Sequence, residues 1–113
     1  MNETIRFYAE NQLADDIESF FKENGVEFIQ GNFIQASDPK HRKKRAGRLV
    51  TIANTTIRKI SEIILAYLNK KGFEMELQSE KDSVTFKKQN SVESIELIIQ
   101  ERKTFRLSLK IKR

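Results

Sequence analysis

The 113-residue chain has no cysteine, no tryptophan, one proline, four glycines and one histidine. Lack of cysteine excludes disulfide staples, thiolate zinc sites, iron–sulfur clusters and thiol nucleophiles. The lone histidine, His41, excludes any catalytic set or metal site that needs two imidazoles. The glycines are isolated and form neither Gly-x-x-x-x-Gly-Lys nor Gly-x-Gly-x-x-Gly, and His-Glu-x-x-His and Gly-x-Ser-x-Gly do not occur. The longest apolar run, Ile63 to Leu68, has six residues, where a membrane-crossing helix needs about 20. The first residues, Met1-Asn2-Glu3-Thr4-Ile5-Arg6, mix acid and base and lead into no signal-like apolar stretch. A cytoplasmic protein without a membrane partner is the expectation.

Enough remains to build a core: 38% of residues are hydrophobic against 33% charged. The length suits a single domain over 1–113, because two halves of about 55 residues would each bury too little surface. The formal net charge of +5 is unevenly placed. Residues 1–39 hold two bases and eight acids, 40–71 ten bases and one acid, and 72–113 nine bases and seven acids. Lys40, Arg42, Lys43, Lys44, Arg45 and Arg48, with His41 among them, form a basic run that contains no acid.

Period-two alternation of Ile5, Phe7 and Ala9 predicts a first strand. Leu13, Ile17, Phe20 and Phe21 then share one helical stripe, with Asn11 as the expected N-cap, acids in the early turns and Gly25 closing the helix. Val26 to Gln30 reads as a short second strand that Gly31 ends. From Gly31 to about Gly47 neither period holds, and a long basic loop is expected at about 31–47. Ala53, Ile57, Ile60, Ile64 and Leu68 predict a core helix from near Arg48 to Lys71, capped by Thr51, Asn54 or Thr55 and closed by Gly72. Phe73, Met75 and Leu77, followed by Val84 and Phe86, predict a hairpin. Residues 91–101 fit either a helix capped by Ser91 or a strand, and helix is preferred. Phe105, Leu107, Leu109 and Ile111 predict a one-sided last strand. The expected fold is α+β, with two to three helices packed on one face of a small mixed sheet, in the order β-α-β-loop-α-β-β-(α)-β.

No catalytic constellation emerges, so the protein is expected not to be an enzyme and to need no cofactor or metal. Paired carboxylates such as Asp15-Asp16 or Glu74 and Glu76 are explained by helix-dipole complementation and by an exposed strand face. The basic run is the one site-like feature, and the candidate contacts with a partner or nucleic acid are Lys40, His41, Arg42, Lys43, Lys44, Arg45 and Arg48. Self-repulsion favours an extended, solvated tether open to trypsin. Docking of the run on the acidic segment that holds Asp15, Asp16 and Glu18 would instead make it structural.

The helix end Ile64-Leu65-Ala66-Tyr67-Leu68-Asn69-Lys70-Lys71, the Phe73-Glu-Met-Glu-Leu and Val84-Thr-Phe hairpin, and Val92-Glu-Ser-Ile-Glu-Leu-Ile-Ile together resemble the effector-associated constant component domains of bacterial conflict systems. That resemblance implies non-enzymatic adaptor work and transfers no catalytic residues; the strand at 103–112 and the basic run depart from the family's pattern. The expected function is a non-enzymatic protein-interaction or adaptor domain with a protein partner. The alternative is sequence-independent nucleic-acid binding through 40–48, and self-association is left open.

Overall fold

A computed structural model describes residues 4–36 and 44–110. In chain order the elements are β1 (Ile5–Glu10), α1 (Asn11–Glu23), β2 (Ile29–Ala36), β3 (Lys44–Ile52), α2 (Ile57–Lys71), β4 (Glu74–Gln78), β5 (Ser83–Phe86), α3 (Val92–Arg102) and β6 (Thr104–Lys110). The strands form one mixed sheet in the order β2-β3-β1-β6-β4-β5, in which β1 and β6 are parallel and the other neighbours antiparallel. The fold is α+β, as the sequence pattern implies.

Local chemistry explains most boundaries. After α1, Gly25 at φ +73 lets the chain reverse. Its N–H bonds the carbonyl of Lys22, and Val26 N–H reaches back to Phe21 at 2.8 Å. Val26 and Phe21 are both buried, which completes a Schellman closure. Val26 therefore belongs to the helix cap and not to the next strand. Asn11, expected as the N-cap, is the first helical residue: Glu10 occupies the cap position while still paired in the sheet with Gly47, so strand passes directly into helix. Ser91 caps α3 by accepting from Ser94 N–H, which resolves 91–101 as helix. Gly72 closes α2 at φ +71.

Two expectations about the middle of the chain are corrected. Residues 31–36 and 44–47 are not loop: β2 runs through Gly31, and β2 and β3 pair from Ile29↔Thr51 to Ala36↔Lys44. The core helix does not begin near Arg48, nor is it capped by Thr51, Asn54 or Thr55. It starts at Ile57, with the Thr56 side chain accepting from Lys59 N–H. Val50 and Ile52 are fully buried and pair with Phe7 and Ile5, so period two governs 48–52. Leu49 and Ala53 fit the helical stripe by coincidence, since Leu49 is half-buried and Ala53 exposed. The element order thus gains a strand where a loop was expected.

Each helix links two parallel strands: α1 joins β1 to β2, α2 joins β3 to β4, and α3 joins β5 to β6. The right-handed connection that such crossovers adopt puts all three helices on the same face of this sheet. That face holds the core, where Ile5, Phe7, Val50, Ile52, Met75, Leu77, Phe86, Phe105 and Leu107 meet Ile17, Phe21, Ile60, Ile64, Leu68, Ile95 and Ile99.

Tyr67 on α2 lies in this core with its ring edge-on to Phe20, centroids 5.2 Å apart, and its hydroxyl donates to Asp16 Oδ2 at 3.4 Å. Burial first, then the Asp16 carboxylate, raise its pKa from 10.0 to about 12. The unfolded chain releases this proton near pH 10 and the folded protein near 12, so the contribution is intact below 10 and is lost as pH rises through that window. Stability should fall by roughly 2–3 kcal/mol from this group, at about 1.4 kcal/mol for each pKa unit. Tyr67→Phe should abolish that share of the loss in urea titrations between pH 10 and 12. An unchanged alkaline profile would refute the assignment.

Candidate interaction face

Strand register decides which side chains lie on the side of the sheet without helices. Ile29, Leu49, Tyr8, Arg106, Gln78 and Ser83 fall on that side, together with Arg6, Glu10, Thr51, Ser108, Lys110, Glu74, Glu76 and Thr85. No described element covers them. Ile29 is 71% exposed, which is unusual for a large apolar residue in a strand. At the β4–β6 side the face is polar and cross-linked: Lys110 Nζ stands 3.8 Å from Glu76 Oε2 and donates to Thr85 Oγ1 at 3.2 Å. Glu76 also accepts from Gln78 at 2.6 Å and Ser83 at 3.0 Å. These bonds, Gln78's first, hold the Glu76 carboxyl below its ordinary pKa. Described charges on the face balance, with Arg6, Arg106 and Lys110 facing Glu10, Glu74 and Glu76.

A shallow groove of about 470 Å³ lies where α1 begins, floored by Leu13, Phe73, Leu107 and Leu109 and edged by Glu10 and Asp16. Its rim is acidic, so it suits an apolar or cationic side chain and repels phosphate.

Of the candidate basic residues, the side chain of Arg48 alone is among those described. Lys40, His41, Arg42 and Lys43 lie outside the described residues. The backbone of Lys44 and Arg45 opens β3, opposite Ala36 and Gln35. Arg48 lies on the helix-covered face, where its Nη1 donates to Glu18 Oε1 at 2.8 Å and to Asp15 Oδ1. Gln30 Nε2 donates to the same Glu18 oxygen at 2.6 Å. The Asp15 hydrogen bond, with both carboxylates nearby, raises the Arg48 pKa above its ordinary value. Arg48 is thus engaged by α1 through Asp15 and Glu18, the docking that the acidic first segment made available. For this residue the solvated-tether reading is overturned: its side chain is 20% exposed and Glu18's 6%.

Sequence reading named Glu18 only as one acid of the segment on which the basic run could dock; its burial has a further signal, since it lies four residues after Ala14 and three before Phe21, on the buried stripe of α1. A second anchor, Arg102, holds Asp82 through Nη2 at 2.6 and 2.8 Å and Nε at 3.1 Å, tying α3 to the β4–β5 turn. These bonds lower the Asp82 pKa and raise that of Arg102. Among the described residues, no group of three or more His, Cys, Asp or Glu side chains is placed to hold a metal ion. No described helix is long and apolar enough to cross a membrane. The fold and face define an α+β domain with a one-sided sheet. No protein-family model, curated protein or solved structure matches the chain.

Proposed function

We propose that this protein is a non-enzymatic interaction domain that binds a protein partner on the helix-free face of its sheet. The observation that carries this reading is the character of that face: covered by no described element, mixed in charge among the described residues, with Ile29 71% exposed beside half-buried Leu49 and Tyr8. An apolar patch within mixed charges suits a protein surface, whereas nucleic-acid interfaces are strongly positive. The basic run supports the nucleic-acid alternative less than its composition implies, because Arg48 is committed to Glu18 and Asp15. A cytoplasmic setting and an adaptor role, as in the constant component domains that the chain resembles, belong to the same reading.

The test has two arms. Fluorescence titration with short duplex DNA and RNA should show no binding tighter than ~10 μM at physiological salt, and steeply salt-dependent binding below that concentration would overturn the proposal. In affinity capture from the native cell extract, a protein retained by the wild type should be lost from an Ile29→Asp variant. Equal retention by both would remove the face from the function.

A further inference from the structure

The two edges of the sheet differ in a way that bears on assembly. A strand edge offers unpaired N–H and C=O groups to any other strand, and proteins usually blunt it with short length, charge or proline. The β5 edge follows that rule: it has four residues and stands between Asp82 and Lys87-Lys88. The β2 edge does not. It has eight residues, Ile29-Gln-Gly-Asn-Phe-Ile-Gln-Ala, and lies within an uncharged, proline-free stretch from Phe28 to Ser37. Among the described residues no strand pairs with its outer side.

We propose that two copies of this chain join through β2, antiparallel and edge to edge, into one continuous sheet around a twofold axis near Asn32. The second copy is the occupant for two reasons. The first is charge. The Ile29 end of β2 follows Glu27, whereas its Ala36 end, with Asp38 two residues on, lies beside both Lys44 and Arg45 of β3 and is basic on balance. Antiparallel self-pairing brings each acidic end to the partner's basic end, and parallel pairing would set like charges together. The second is closure. Pairing β2 with β2 consumes both open edges and leaves only the two short, charged β5 edges outward, so assembly stops at a dimer. Residues directly opposite in such a pair share a face of the sheet, so both copies keep their helices on the same side. The inference goes beyond the proposed function, since it uses the backbone edge of β2 and not the side-chain face offered to a partner, with Ile29 common to both.

With the axis at Asn32, Ile29 of one copy stands opposite Gln35 of the other. Within each chain Gln35 is opposite Arg45, so an acid at 35 is compatible with the fold. Sedimentation equilibrium on the wild type should give a dimer with a dissociation constant on the order of 1–100 μM, the range of a small interface. Ile29→Glu/Gln35→Glu, which sets like charges across the axis, should weaken the dimer at least about tenfold. Ile29→Lys/Gln35→Glu, which sets opposite charges there, should stay within about threefold of the wild type. These variants differ only at an exposed residue, and circular dichroism melts check that both fold. The proposal is overturned by a wild type that stays monomeric at ~500 μM, far above the range given for such an interface. A dimer equally tight in both variants, or an open-ended polymer, overturns it as well. Because Ile29 serves both tests, Ile29→Lys/Gln35→Glu separates the two readings: it should keep the dimer and lose the captured partner, so a lost dimer there counts against this inference and a retained partner against the proposed function.

Discussion

Replacing Arg48 with methionine is expected to cost about 3–5 kcal/mol, because it leaves the Glu18 carboxylate buried without its cation. Glu18 Oε2 makes no hydrogen bond among the described residues, and Oε1 relies on Arg48 and Gln30 alone. The partner cost of Asp15 should be small, since its side chain is 65% exposed and solvent screens it. Asp15→Asn should therefore change stability by under about 1 kcal/mol. The double variant Arg48→Met/Glu18→Leu should recover most of the loss, because two apolar side chains can replace a buried pair without stranding either charge. Urea denaturation of the four proteins measures each term and their coupling. A loss under about 0.5 kcal/mol for Arg48→Met, the size of an ordinary surface change, would return Arg48 to the solvated basic run.

Ile60→Ala should cost about 2–5 kcal/mol as a large-to-small change in a closed core. Ile60 is 1% exposed in the first turn of α2, the helix that crosses over β1 and β6 in the middle of the sheet. Few side chains can relax into the space, since Ile57, Ile63 and Ile64 are themselves buried and stiff at their branched Cβ. Leu97→Ala on the outer side of α3 is the control, exposed at 59% and expected to stay within about 0.5 kcal/mol. Equal losses at the two positions would mean that the buried face of α2 has been wrongly assigned.

The two variants probe different kinds of residue. Ile60 belongs to a pattern readable in one dimension: Ile57, Ile60, Ile64 and Leu68 recur at the helical period, and that stripe has to be covered. The same holds for the alternation of β1, β4 and β6, for Gly25 and Gly72 at positive φ, and for Ser91 as a cap. In each case the signal is local, because backbone geometry repeats within a few residues. From such signals the α+β class and the first two helices follow from the sequence by itself, whereas 91–101 fitted helix or strand until the structure showed the helix that Ser91 caps.

Arg48 belongs to the other kind. Its neighbours in sequence are bases, so composition groups it with Lys44 and Arg45, while its partners lie 30 and 33 residues away on α1. The strand that carries it was hidden for the same reason. Residues 44–52 show period two only once β1 lies on one side and β2 on the other, and until then Leu49 and Ala53 extend the helical stripe as plausibly. Uncharged β2 has little alternation of its own and takes its register from β3. Tertiary pairing alone decided that the middle of the chain is sheet, that Arg48 faces Glu18, and that β2 is an edge. Such pairing depends on contacts between residues far apart in the chain, whose cost in chain entropy no local window contains.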